Sequence, residues 1–194
     1  MGLSAAIGLA TSAGLNAYIP LLAFGLLARY TELVTLPEGW VWLSNPILLA
    51  VVGVLLLIEL VADMIPAVDS VNDVIQTLVR PTSGGLMFAS AFGDQTVSST
   101  ETFSNPKTWG LLAAGFVIAL IMHLMKSTSR PAINAGTLGF GAPVASTAEN
   151  VAAASLTGAA LFAPALVFVL LILLLGGAAW LLLKLRGWRE RLRG

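Results

Sequence analysis

Long apolar runs broken by short polar stretches dominate the chain, and their spacing predicts a series of membrane-embedded helices. The first run extends from Leu3 to Leu27. Its middle, Thr11-Ser12-Ala13-Gly14-Leu15-Asn16, is small and polar enough either to pack closely or to break. No basic region precedes it and no A-x-A site follows, so it reads as a first transmembrane helix, not a cleaved signal peptide. The linker from Thr31 to Pro46 is acidic and aromatic, with Glu32, Glu38, Trp40 and Trp42. Such tryptophans suit a membrane–water boundary. Ile47 to Met64 is a second span, carrying Glu59 and Asp63 near its end, and Pro66 is expected to stop it. Asp69 to Val79 then predicts a short amphipathic helix with Asp69 as N-cap. Val71, Val74, Ile75, Leu78 and Val79 form its apolar stripe, and Asn72, Asp73 and Gln76 its polar face, as in a helix lying along an interface.

Pro81 to Phe92 is apolar but short. At about 1.5 Å per residue it reaches only about 18 Å, less than a ~30 Å hydrocarbon core. It is therefore expected to re-enter, or to cross with the help of irregular backbone, which is tolerated only inside protein or beside water. Gly93 to Lys107 reads as a polar loop. Trp109 to Met125 is a third span, with His123 near its end. Arg130 to Ala145 is rich in glycine and proline, a second short or broken element. Ser146-Thr147-Ala148-Glu149 has the spacing of a capping box and would start a helix that reaches Pro164 and kinks. Ala165 to Leu183, nearly pure Leu, Val, Ile and Ala, is the last span. The expected fold is an all-α polytopic membrane bundle of about four full spans plus two short or broken elements. Residues 1–185 would form one transmembrane domain and 186–194 a basic tail.

Composition agrees. Of the 194 residues, 57% are hydrophobic and only 10% charged, with a mean hydropathy of +0.90. Soluble domains carry about 25% charged residues, so too little polar surface is available here to face water. The length allows at most about six crossings at ~20 residues each. The chain has no cysteine, which excludes disulfides, thiolate metal sites, iron–sulfur clusters and a cysteine nucleophile. The net charge is zero, but Lys184, Arg186, Arg189, Arg191 and Arg193 crowd the C-terminal end. By the positive-inside rule this tail is cytoplasmic. If both short elements cross, Arg80, Lys126 and Arg130 are cytoplasmic too; if both re-enter, Lys126 and Arg130 lie outside. Either way both termini face the cytoplasm.

Thr11-Ser12-Ala13-Gly14-Leu15 recurs as Thr82-Ser83-Gly84-Gly85-Leu86, and a helix followed by Arg-Pro and small residues occurs at Arg80-Pro81 and again at Arg130-Pro131. Duplicated units with interrupted helices are common in transporters. Small residues are equally common wherever membrane helices pack closely.

Ionisable residues inside apolar segments are costly and need partners, so they carry most of the chemical information. Glu59 and Asp63, four apart, share a helix face and could bind a cation or a proton; alternatively Asp63 merely marks a helix end at the headgroups. Asp73 either sits on a solvated face or pairs with Arg80. Proline at the first position of a helix would leave free backbone N–H groups beside Arg80 and Arg130, an arrangement suited to a phosphate or carboxylate. The plain alternative is two arginines that snorkel to headgroups. His123, Lys126 and Arg130 fall on roughly one side of a helix, where His123 could relay protons or help bind a metal with Glu59 or Glu149. It could as well be a simple interfacial hydrogen-bonding group. Glu149 is either the partner in the capping box or a cation or proton site. Asn16 and Asn134 would most simply join helices by hydrogen bonds. No Walker A, G-x-S-x-G, H-E-x-x-H or dinucleotide motif is present. The basic tail is better explained by anionic lipid than by nucleic acid.

The segment Gly14-Leu15-Asn16-Ala17-Tyr18-Ile19-Pro20-Leu21-Leu22 belongs to a wider pattern. It continues in Asp63-Met64-Ile65-Pro66-Ala67-Val68-Asp69 with Asp73 and Arg80-Pro81. His123, Lys126, Arg130, Asn134, Ser146 and Glu149 complete it. The pattern resembles the bacterial membrane-protein family called domain of unknown function 4126, over most of the chain. It departs at Gly139-Phe140-Gly141-Ala142-Pro143, where a more polar loop is expected. The resemblance implies that these polar positions form a family pattern and assigns them no role.

The expectation is a small transporter or channel for an ion or a small polar or anionic solute, a lipid headgroup included. Glu59, Asp63, Asp73, Arg80, His123, Arg130, Asn134 and Glu149 would form its site. It is expected to be no enzyme and to use no cofactor; the identity of any metal is left open. Its partners would be the lipid bilayer and the solute, with no nucleic acid, and a bundle this small is compatible with a homodimer. The first alternative is a non-transporting membrane scaffold whose polar residues are structural. An intramembrane enzyme acting on lipid, without a nucleophile motif to support it, ranks last.

Overall fold

The structure, a computed structural model, describes residues 1–93, 102–138 and 140–191, and describes the side chains of all these except residues 66, 67, 69, 70, 132 and 181–191. Regular structure among the described residues is entirely helical. In chain order it comprises α1 (Leu3–Leu15), α2 (Tyr18–Tyr30), a 3₁₀ segment (Glu38–Ser44), α3 (Pro46–Ala62), α4 (Pro66–Phe92), α5 (Pro106–Thr137), α6 (Gly141–Phe162) and α7 (Leu166–Arg191). α5 is long and apolar enough to cross a membrane, and the 3₁₀ segment with α3 forms a second such unit, bent by 57°. α7 starts just beyond Pro164, where the last apolar run was expected to begin. The side chains of the basic tail, and most of the expected polar loop before Lys107, lie outside the described residues.

α1 lies at the centre and packs against α4, α5 and α6. Its residues are small or aliphatic throughout, and Gly8 to Leu15 are all buried. Small side chains let three helices approach one backbone closely. A Cβ on Gly14 would lie 2.5 Å from the carbonyl oxygen of Ala119 and 2.6 Å from the Cβ of Met122, and Gly84 and Gly115 meet across the α4–α5 contact. The echo between Thr11–Leu15 and Thr82–Leu86 thus lies where these helices cross, and close packing accounts for the small residues in it.

The first apolar run breaks. Asn16 is fully buried, and its Oδ1 accepts the backbone N–H of Tyr18 at 3.0 Å and of Ile19 at 3.1 Å, while its Nδ2 donates to Asn150 Oδ1 at 3.0 Å. The side chain therefore caps the start of α2 and ties the break to α6. Leu3 to Leu27 is two 13-residue helices rather than one span. Trp42 is exposed as a boundary residue would be, but Trp40 is buried, edge-on to Phe103 at 5.5 Å.

Three boundaries differ from expectation. Pro81 lies inside α4, so the interfacial helix at 69–79 and the short element at 81–92 are one 27-residue helix that begins at Pro66, with Ile65 and not Asp69 at the N-cap. Pro131 likewise lies inside α5, which runs on to Thr137. Proline removes one ladder hydrogen bond and crowds the carbonyl four residues back, yet neighbouring helices hold both segments in place, as they do in membrane helices generally. No separate element spans 131–145. α6 begins at Gly141, and Ser146, inside it, points its hydroxyl at the backbone carbonyl of Asp63 instead of capping a helix.

The two faces of α4 divide as expected, but the polar one turns into the protein and not toward solvent. The stripe Val71, Val74, Ile75 and Leu78 faces outward, with Val74 73% exposed, while Asp73, Gln76 and Arg80 face inward, Gln76 at 2% and Arg80 at 0%. Along this half of α4 apolar side chains lie outside and polar ones inside, beside a core that is otherwise apolar.

Candidate functional site

The inward polar face of α4 meets charged residues from α3, α5 and α6, forming one buried cluster. Glu59 and Asp63 lie a helical turn apart at the end of α3, where Asp63 is the C-cap residue. Arg80, from the middle of α4, directs Nε and Nη2 at Glu59 Oε1, at 3.2 and 2.8 Å. Its guanidinium also lies 3.6 Å from Asp63 Oδ2 and 3.5 Å from Asp73 Oδ1. Asp73 and Arg80 are seven residues apart on one helix face, so a single arginine serves carboxylates from both helices.

His123 sits against the other side of Arg80. Arg80 Nη1 donates to His123 Nδ1 at 3.2 Å. Thr77 Oγ1 donates to the backbone carbonyl of Asp73 at 2.8 Å, which leaves it to accept from His123 Nε2 at 2.9 Å. This chain of donors assigns the neutral imidazole with its proton on Nε2.

Asp63 joins the two halves of the cluster. Its Oδ2 accepts from Lys126 Nζ at 2.6 Å and its Oδ1 from Asn72 Nδ2 at 3.0 Å. Its backbone carbonyl accepts from Ser146 Oγ at 2.5 Å and from Arg130 Nη1 at 3.4 Å. Lys126, Arg80 and Arg130 all face this carboxylate, at 2.6, 3.6 and 3.9 Å from Oδ2. Lys126 Nζ also reaches Glu149 Oε2 at 3.2 Å and donates to the carbonyl of Leu15, at the α1–α2 break, at 3.4 Å. Arg130 grips Glu149 with two nitrogens, Nη2 on Oε2 and Nε on Oε1.

Four carboxylates (Glu59, Asp63, Asp73, Glu149) thus share three cationic side chains (Arg80, Lys126, Arg130). Among the described residues no group of three His, Cys, Asp or Glu side chains is arranged to hold a metal ion. The carboxylates turn toward arginine and lysine instead. A cavity of about 180 Å³ adjoins the Lys126–Glu149 end, walled mainly by Leu15, Met122, Met125 and Leu174.

Seven of the eight expected site residues converge here: Glu59, Asp63, Asp73, Arg80, His123, Arg130 and Glu149. Asn134 does not. It lies near the end of α5 with its Oδ1 unpartnered and its backbone carbonyl accepting from Leu138. The arginines are not beside helix starts, because both Arg-Pro steps lie within continuous helices, and carboxylates rather than an anionic ligand occupy the guanidinium groups. Glu149 is not a capping-box partner, since Arg130 and Lys126 hold it. Lys126, absent from the expected site, proves central. Its signal was the spacing His123, Lys126, Arg130 along one helix face. Asn72 and Ser146 had no comparable signal, because their partner is an atom of Asp63 that only the tertiary fold brings near.

Neither the curated proteins nor the solved structures yield a match to this chain. The family described as Domain of unknown function (DUF4126) matches residues 3–184, nearly the whole chain and every member of the buried cluster. The chain belongs to that family.

Proposed function

We propose that the chain is a small polytopic membrane protein that moves an ion or a small polar solute through the buried charge cluster, in a bacterial inner membrane with both termini cytoplasmic. Support for the membrane setting is the apolar outer surface of the bundle. Exposed Val, Leu and Ile side chains cover the outer faces of α3, α4, α5 and α7, far more apolar surface than a water-soluble monomer presents.

The observation that carries the functional reading is the cluster itself. Buried ion pairs add little net stability over a well-packed apolar core of the same volume, and ionisable groups within membrane helices are characteristically tied to ion or proton movement. Seven charged side chains gathered from α3, α4, α5, α6 and the α3–α4 turn are an expensive way to build a scaffold. The cavity beside Lys126 and Glu149 supplies room for a solute at one end of the cluster.

The test is solute and ion flux in proteoliposomes, wild type against Glu59→Gln and Glu149→Gln. Both substitutions keep shape and remove one negative charge. At least a tenfold loss of flux in either supports the reading, and unchanged flux in both removes the assignment. The scaffold reading draws on one observation, the near-complete satisfaction of Asp63 by Lys126, Asn72 and Ser146. It predicts that the same variants melt earlier, with no ligand-dependent change.

A further inference from the structure

The side-chain atoms that the fold leaves buried without a hydrogen-bond partner, among the described residues, are Glu59 Oε2, Asp73 Oδ1, Gln76 Oε1 and Asn134 Oδ1. All are oxygens, and none is a donor. Apart from Asn134, they belong to one neighbourhood. Arg80 contacts both Glu59 and Asp73, and Gln76 lies one turn before Arg80 on the same inward face of α4, its Nε2 3.5 Å from the hydroxyl of Tyr18. Glu59 and Gln76 are each more than nine-tenths buried.

A buried acceptor without a donor is costly, and so is an unbalanced buried charge. Both deficits occur at the same end of the cluster. At the other end, Asp63 and Glu149 have every carboxylate oxygen engaged by Lys126, Arg130 or Asn72. At this end Arg80 alone answers two carboxylates, and only one oxygen of Glu59 receives its N–H groups. One proton corrects both deficits at once. It removes the surplus negative charge, and it replaces a buried charged acceptor with a neutral O–H group.

We infer that the Glu59–Asp73 end of the cluster binds one proton, held on one of the two carboxyl groups that face a single arginine, and releases it as the pH is raised. The inference rests on the reading of the cluster as a binding centre and names the species bound there. The groups that face this site are Arg80 and Asp73 from α4, Asp63 from the α3–α4 turn, His123, Lys126 and Arg130 from α5, and Tyr18 from α2. His123 donates through Nε2 to Thr77 and accepts from Arg80, so it is already neutral and does not supply the missing positive charge.

The experiment is an infrared pH titration of the full-length chain in lipid vesicles, following the C=O band of a protonated carboxyl group. Wild type should show that band at neutral pH and lose it on alkalinisation. Glu59→Gln or Asp73→Asn should abolish it, and Glu32→Gln, at an exposed position, should retain it. Absence of the band from wild type at neutral pH overturns the inference, as does its persistence in both cluster variants. Displacement of the band by sodium at fixed pH overturns it too, in favour of a cation as the occupant. Because wild type alone decides the first point, a variant that fails to fold does not rescue the idea. Flux measured on the same vesicles separates the two proposals: a band without flux removes transport and leaves the proton site, and flux without a band does the reverse.

Discussion

Asp63→Asn tests how far the cluster holds the bundle together. The side chain is fully buried and accepts from Lys126 at 2.6 Å, with two guanidinium groups within 4 Å. Asparagine keeps the size and an acceptor for Asn72 but removes the charge that Lys126 faces. Removing one partner of a buried pair costs about 3–5 kcal/mol. The lower end applies, because Lys126 retains Glu149 at 3.2 Å. For a chain of this length about 3 kcal/mol corresponds to a fall of about 6–12 °C in Tm. Thermal melting in a single detergent gives the comparison, with Glu32→Gln as the exposed control. Adding Lys126→Met to Asp63→Asn should recover part of the loss, since it removes the charge left unpaired. A fall of less than about 2 °C for Asp63→Asn alone, the size of a shift at an ordinary surface site, would refute the reasoning.

Two further predictions concern the packing around α1. Gly14→Val should destabilise by about 1–3 kcal/mol, read as a lower Tm, because the new side chain meets the Ala119 carbonyl and Met122. Asn16→Ala should cost about 1–2 kcal/mol by removing the cap on α2, and more than Asn150→Ala, which spares the two N–H contacts that Asn16 makes.

The residue types of the site were legible in the sequence because charges stand out against an apolar background. Glu59, Asp63, Arg80, His123 and Glu149 could be singled out before any geometry was known. Their partners were not. Arg80 pairs with a carboxylate twenty-one positions away and Arg130 with one nineteen away, separations that local periodicity does not encode. The stripe on α4 was visible as well, but not the inward turn of Asp73, Gln76 and Arg80, because the partners they meet come from other helices, α3 and α5 among them. Pro81 and Pro131 misled for a related reason. Proline breaks a helix that must stand alone, whereas α4 beside Pro81 is braced by the close approach of Gly84 to Gly115, and α5 beside Pro131 by the pairing of Arg130 with Glu149 of α6.

The order of the charges along the chain has a consequence for biogenesis. In the membrane setting proposed above, a nascent chain synthesised as far as the end of α4 holds Glu59, Asp63 and Asp73 against Arg80 alone, two negative charges in excess. α5 then delivers Lys126 and Arg130 and cancels that excess, and α6 adds Glu149, whose partners are both already in place. Insertion of α3 and α4 is therefore provisional until α5 arrives. A chain truncated in the α4–α5 loop is a natural substrate for quality-control proteolysis, and one truncated after α5 is electrically complete.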